Sequence, residues 1–324
     1  MSGFSLDLVR LTESYALCLG TEGKSPKTIT WYTANLNRFA QFLLENNFST
    51  SVVEIGKEEA RKFIVYLQHD VTRWQCNPSI HDDKHLSAYS VQGYVRTIKA
   101  FWSWLLNEEY ITHNPMAGLK LPRTPRKVIQ TFSNEQLQKL LGVIDKKHPT
   151  GFRNYAMILL LLDTGIRLSE LIGLKMDDVD FLQSFILVKG KGNKERIVPF
   201  GSQVRRILRR YVMHFRPEPD SPRMREVFLS EDGFSLRPRA VQSMLKRLGK
   251  KAHLSGIGVN PHRFRHTFAR QFLMNGGDIF SLQKILGHSS LEVVKMYVNL
   301  MTSDILDQHH KFSPVDNSFV RGRQ

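Results

Sequence analysis

Acidic side chains are scarce in this chain. Asp and Glu number 30 against 46 Lys and Arg over 324 residues, a net charge of +16. Such an imbalance points to a polyanionic partner, either nucleic acid or an anionic membrane surface. Cysteine is scarcer still. Cys18 and Cys76 are too few and too far apart for a disulfide framework or a paired-thiol metal site, and read as ordinary thiols of a reducing compartment. Long apolar stretches are missing too. The longest pure run, Ala156 to Leu162, is far too short to cross a bilayer. The opening MSGFSLDLVR lacks the charged-then-apolar order of a secretion signal. A soluble, cytoplasmic protein with no membrane partner is expected, which leaves nucleic acid as the reading of the charge. There is no repeat with a period of tens of residues.

What is present suffices for a large core, since 41% of the residues are apolar, and the length suits two domains. The charge divides them. Residues 1–122 carry 12 basic and 12 acidic side chains, so the whole excess lies beyond residue 122. There it is interleaved with apolar residues, as on a folded basic surface.

Ser25-Pro26 has the form of a helix start, and Ile29, Tyr32, Leu36, Phe39 and Leu43 follow at helical spacing. A second stripe runs through Val91, Tyr94 and Val95, Ile98, Trp102 and Leu105, with Ser90 as the expected cap. A small helical bundle explains both stripes. A sharper reading lays Lys24, Lys27, Arg96 and Lys99 along DNA phosphates. Between the helices, His69 to Ser87 is polar, contains Pro78 and reads as a long loop. Its His81 and His85 flank Asp82 and Asp83, a pattern that suits a solvated turn better than a metal site.

Asn114-Pro115 closes the first unit, and Leu121 to Lys127, with two prolines and three basic residues, reads as an extended linker. Its basic end, Arg126 and Lys127, is a candidate phosphate contact. Ser133 and Gln136 then make a capping box. A buried helix is expected from Phe152 to Leu162 and another from Ile166 to Leu174. Phe185–Val188 and Arg196–Pro199 read as strands joined by a Gly-Lys-Gly-Asn-Lys turn. Helices separated by Gly and Pro follow to about residue 311, and residues 313–324 read as a loose polar tail.

Four stretches carry chemistry. Arg167 follows a glycine turn, where a guanidinium either forks onto a phosphate or pairs with Glu170 one turn on. Lys191 sits at a hairpin tip, either reaching a ligand or simply solvated. His262 and Arg265 share a helical face, and His266 stands four residues from His262. The arginines between these histidines make a dication unwelcome, so no metal is expected there. His288 precedes a capping box of Ser289 and Glu292, just outside a helix terminus that attracts anions. Tyr297 lies about two turns into that helix and, taken alone, reads as a buried tyrosine beside Val293, Val294 and Leu300. No carboxylate cluster suited to a divalent metal accompanies them, since Asp177, Asp178 and Asp180 are bunched without a histidine. The set suits phosphoryl transfer driven by protein cations.

The order Arg167, Lys191, His262-x-x-Arg265, His288, Tyr297, together with Asn114-Pro115 and Leu119-Lys-Leu-Pro122, resembles the tyrosine recombinases of the phage integrase family in their compact, Xer-like form. The resemblance implies a mainly α fold with a small β-sheet, arranged as a two-domain clamp on DNA. An N-terminal helical, SAM-like DNA-binding domain would span residues 1–120, a linker 121–130, a catalytic domain 131–312 and a tail 313–324. It implies that Tyr297 attacks a phosphodiester, forming a 3′-phosphotyrosyl link and freeing a 5′-hydroxyl. Arg167 and Arg265 would clamp the non-bridging oxygens, Lys191 would protonate the leaving oxygen, His262 would assist proton transfer, His288 would bind the phosphate, and Glu170 would support the site. No metal or nucleotide cofactor is implied. The partner would be double-stranded DNA, with self-association into a tetrameric synapse, room for a second kind of recombinase protomer, and residues 302–312 docking into a neighbour. A nucleoid-associated, cytoplasmic location follows. With no additional domain before residue 25, binding at a second, remote type of DNA site is not expected. Two other activities fit the same residues less fully: sequence-blind relaxation of DNA by a type IB topoisomerase, and regulation by a protein that binds without cutting.

If the basic surface beyond residue 122 is the DNA face, affinity falls linearly on a log–log plot against salt, with a slope of about −0.9 per phosphate neutralised. A flat profile in a filter-binding titration would remove that surface from consideration.

Overall fold

The computed structural model describes residues 6–72, 84–125, 130–190, 195–254, 256–287, 309 and 313. The chain divides into two compact units, Met1–Lys127 and Val128–Gln324.

In the first unit, α1 (Leu8–Thr21), α2 (Pro26–Glu45), α3 (Lys57–His69) and α4 (Ala88–Asn107) bury one stripe each. The Asp7 carboxylate caps α1, and Ser25 caps α2 with Pro26 in its first turn, as the sequence predicts. The cap of α4 is Ser87, not Ser90. Its hydroxyl accepts the Ser90 backbone N–H, so the helix begins three residues earlier than expected. Both expected stripes face inward. Leu36, Phe39, Leu43, Val91, Val95, Ile98, Trp102 and Leu105 are buried, each worth roughly 1.5–3 kcal/mol of transfer free energy. The core is strongly aromatic, with Phe39 against Phe63 at 4.8 Å and Tyr15 edge-on to Phe101 at 5.4 Å. One polar pair lies inside it: the Asn35 amide donates to the Thr97 hydroxyl at 3.0 Å, and that hydroxyl donates to the Gly93 carbonyl.

The loop after α3 is closed at its base. Thr72 bridges His85, and the Leu86 N–H donates to the Val71 carbonyl at 3.2 Å. Cys76, Pro78, His81, Asp82 and Asp83 lie outside the described residues. The linker is less free than its composition suggests. Gln92 on α4 donates to the Pro122 carbonyl and Tyr89 to that of Pro125, both at 2.6 Å.

The second unit contains α5 (Asn134–Gly142), α6 (Pro149–Thr164), α7 (Leu168–Ile172), a short 3-10 turn, strands β1 (Val179–Asp180), β2 (Phe185–Lys189) and β3 (Glu195–Pro199), then α8 (Ser202–His214), α9 (Pro238–Lys251), α10 (Pro261–Met274) and α11 (Ile279–Leu286). The Ser133–Gln136 capping box forms. The expected helix at 166–174 is shorter. Ile166 is buried in the turn before it and Arg167 serves as its N-cap. The expected hairpin is present, and β1 adds a third strand to an antiparallel sheet in the order β1-β2-β3. Lys189 pairs with Glu195 at the end next to the connecting residues, both in register and as an ion pair at 3.4 Å. Among the described residues no helix is long and apolar enough to cross a membrane. The fold is mainly α with a small sheet, as expected.

Thr97→Val leaves the buried Asn35 donor unsatisfied. Chemical denaturation should show a loss of about 1–3 kcal/mol, largely regained when Asn35→Leu is added.

Candidate active site

Four elements converge on one helix end. The chain leaves α6 through Gly165, whose left-handed φ of +61° suits glycine. A Cβ there would fall 2.4 Å from the Phe268 ring and 2.9 Å from Leu286. This close packing brings α6, α10 and α11 together just before Arg167.

As N-cap of α7, Arg167 gives its backbone N–H to Glu170 Oε2 at 2.7 Å and its Nη1 to Glu170 Oε1 at 2.8 Å. The pairing that the sequence offered as an alternative to phosphate binding is therefore formed. It does not consume the guanidinium, because the Arg167 side chain stays 40% exposed while that of Glu170 is only 4% exposed. Arg196, near the start of β3, forks onto the other side of the carboxylate, with Nη1 at 3.0 Å from Oε1 and Nη2 at 2.9 Å from Oε2. Burial alone would raise the Glu170 pKa. The hydrogen bonds and charge of Arg196, with the hydrogen bonds of Arg167, outweigh it and hold the carboxyl below the ordinary glutamate range.

Helix α10 starts at Pro261, capped by the Asn260 side chain on the Arg263 N–H. His262 is exposed in its first turn, and Arg265, one turn on, is buried. Arg265 Nη1 donates to the Gly165 carbonyl at 2.8 Å and Nη2 to the Leu286 carbonyl at 2.6 Å. Arg167 Nη2 lies 3.4 Å from the carbonyl of Gly287, the left-handed cap of α11. The two predicted clamps thus meet on consecutive carbonyls, with Glu170 between Arg167 and the sheet. His266 is half-buried on the same helix.

Lys191, His288, Tyr297, Arg126 and Lys127 lie outside the described residues, as do most of segment 302–312 and all of the tail except the buried Ser313. Strands β2 and β3 flank the interval that contains Lys191, and α11 ends at Leu286, two residues before His288. Of the other basic candidates, Lys24 and Lys27 are exposed, Lys24 lying 3.4 Å from Glu22. Arg96 is exposed and donates to Gln92. Lys99 is half-buried, and its ammonium donates to the carbonyls of Ala117 and Leu119 at 2.8 and 2.9 Å. It holds the end of its own unit, leaving one N–H for any phosphate. Asp177 pairs with Arg225, while Asp178 and Asp180 accept backbone N–H groups. No group of three or more potential metal ligands occurs among the described residues.

Sequence reasoning missed Arg196. Its partners are 26 and 89 residues away, beyond any local spacing rule.

Residues 130–303 match the phage integrase family, and residues 10–121 match the phage integrase SAM-like domain. Tyrosine recombinase XerC of Oceanobacillus iheyensis is 33% identical over 90% of this chain and 92% of its own length. Tyrosine recombinase XerD of Listeria monocytogenes is 30% identical over 85% of this chain and 97% of its own. The fold is similar to that of Tn1549 transposon integrase in complex with transposon right end DNA, with a TM-score of 0.73 at 20% identity, covering 94% of this chain and 98% of that one. It is also similar to XerH bound to its difH substrate after cleavage, with a TM-score of 0.69 at 20% identity, covering 94% and 84%.

Glu170→Gln removes the charge that two guanidinia share. The loss should be on the order of 3 kcal/mol, at the low end for breaking a buried pair because Arg167 is partly solvated. A depressed carboxyl stabilises above its unfolded pKa of about 4.3 and loses that contribution as pH falls through the lower folded value. The difference in melting temperature between wild type and Glu170→Gln should therefore be full at neutral pH and shrink below about pH 4.

Proposed function

This chain belongs to the phage integrase family and is a tyrosine recombinase, and from that premise we propose that it cuts and rejoins duplex DNA at a specific site through a covalent phosphotyrosyl intermediate. The phenolic oxygen of Tyr297 attacks the scissile phosphorus. A bond forms between that oxygen and the 3′-phosphate, the bond to the 5′-oxygen breaks, and the freed 5′-oxygen takes a proton to become a hydroxyl. Attack by the 5′-hydroxyl of another strand reverses the chemistry and regenerates the tyrosine. The ester energy is kept in the covalent link, so the cycle consumes no nucleotide.

A phenol has a pKa of about 10 and needs help to act as a nucleophile at neutral pH. Fixed cations supply it. They lower the cost of the phenolate and receive charge as the phosphorus becomes five-coordinate. Arg167 and Arg265 are the clamps in this reading. Lys191 delivers the proton to the leaving oxygen, His262 handles that of Tyr297, and His288 donates to a phosphate oxygen. Glu170 binds no substrate and holds Arg167 in place. The observation that supports the reading most is the meeting of Arg167 and Arg265 on one helix end, from positions almost one hundred residues apart in the chain.

Residues 1–120 form the helical DNA-binding domain, 121–130 the linker, 131–312 the catalytic domain and 313–324 the tail. Lys24, Lys27, Arg96, Arg126 and Lys127 add phosphate contacts, to which Lys99 can contribute its remaining donor. The partner is double-stranded DNA. Exchange requires four copies in a synapse, with residues 302–312 carrying contacts between protomers, and the protein works at the nucleoid.

The test uses a duplex recovered by binding selection from a randomised pool and nicked beside the cut so that the adduct is trapped. Wild type should give a denaturant-stable protein–DNA adduct that maps to Tyr297. Tyr297→Phe should bind the intact duplex and give none. Arg167→Ala or Arg265→Ala should slow adduct formation by about 10²–10³. An adduct with the Phe variant would overturn the nucleophile assignment, and relaxation of plasmids without any preferred sequence or exchanged product would replace the recombinase reading with a topoisomerase one.

A further inference from the structure

The last three residues at the end of α11 meet three different guanidinia. The Ile285 carbonyl accepts Arg196 Nε at 2.8 Å, the Leu286 carbonyl accepts Arg265 Nη2 at 2.6 Å, and the Gly287 carbonyl lies 3.4 Å from Arg167 Nη2. Final helical carbonyls lack partners within the helix and carry the negative end of its dipole, so cations are the natural complement. Two of these arginines are the proposed phosphate clamps. Arg196 is not, yet its side chain makes three hydrogen bonds. Besides Ile285 it holds both oxygens of Glu170, the carboxylate that fixes Arg167 through backbone and side chain. Its side chain is 13% exposed, which leaves it little surface for DNA. Gly287 fits tightly against it, since a Cβ there would fall 3.0 Å from Arg196 Nε.

We propose that Arg196 is a positioning residue for strand cleavage, acting through Glu170 on the aim of Arg167 and through Ile285 on the turn that leads into His288. The proposal rests on the reading of the chain as a DNA-cleaving recombinase. Its physical basis is bidentate geometry. A planar guanidinium fork sets the plane of the Glu170 carboxylate, and the same two oxygens accept the backbone N–H and the Nη1 of Arg167. With the fork gone, Glu170 can rotate and Arg167 loses its fixed aim. A lysine at 196 keeps the charge but cannot fork.

The experiment compares Arg196→Lys and Arg196→Gln with wild type in single-turnover cleavage of the selected duplex. One substrate carries a normal scissile phosphate and the other a methylphosphonate, which has one negative oxygen fewer and so relies less on an aimed guanidinium. Both variants should cut the normal substrate about 10²-fold more slowly, on the scale of losing one oriented donor. They should bind the intact duplex as wild type does, and the deficit should shrink markedly on the methylphosphonate. Equal deficits on the two substrates would reduce Arg196 to a stabilising residue, and an undiminished rate on the normal substrate would overturn the proposal outright. Thermal melts of Arg196→Gln, Arg167→Gln and the double variant provide a readout that needs no cleavage. Coupling through Glu170 requires non-additive shifts, and additive ones would overturn the proposal even if cleavage were lost with wild type. Absence of any wild-type adduct would instead sink the functional reading.

Discussion

A carboxylate with almost no solvent access survives as an anion only where something else supplies the charge that water would have screened. Glu170 meets that condition with two guanidinia, one from the N-cap of α7 and one from β3. The geometry of the site depends on this arrangement. It fixes the strand that follows the hairpin against the helix that follows the glycine turn, and leaves one edge of Arg167 facing solvent. Arg265 provides the second brace by joining the Gly165 carbonyl to that of Leu286. The single Glu170 charge is shared between two guanidinia, and the Arg265 brace uses only neutral carbonyls, so the cluster stays net positive. Cationic groups are thus held in place by the fold itself, which is the preorganisation that the proposed catalysis requires.

Elements governed by neighbouring residues were legible in the sequence. Ser25 and Ser133 cap the helices assigned to them because a capping hydroxyl acts over three residues. The stripes through Leu36, Phe39, Leu43 and through Val91, Ile98, Leu105 point inward because burial at helical spacing leaves a clear period. The error at α4 arose from two serines three residues apart, where the upstream one, Ser87, takes the N–H of the other. The Asp7 cap and the stripe Leu8, Leu11, Tyr15, Leu19 were equally readable and define α1, a helix not expected from the sequence.

Motif order singled out Arg167 and Arg265, the proposed clamps, and local spacing offered the Arg167–Glu170 pair, whereas the third guanidinium was not legible. Arg196 joins residues on β3, α7 and α11, and no spacing along the chain encodes such a meeting. The same holds for Lys99, which reads as a free cation on a polar face but is tied to carbonyls 18 and 20 residues away. Composition is likewise silent on what the linker carbonyls meet. Its prolines lack N–H donors but still offer carbonyls, and Tyr89 and Gln92 take them.

The closed base of the segment after α3 bears on how this scaffold tolerates change. Because Val71, Thr72, His85 and Leu86 already bring the two ends together, extra residues placed between them would leave those pairings intact and add only closure entropy. That entropy rises by about 0.6 kcal/mol for each doubling of length. The paired residues at the base therefore hold the end of α3 and the start of α4 at a fixed spacing whatever the length of chain that joins them.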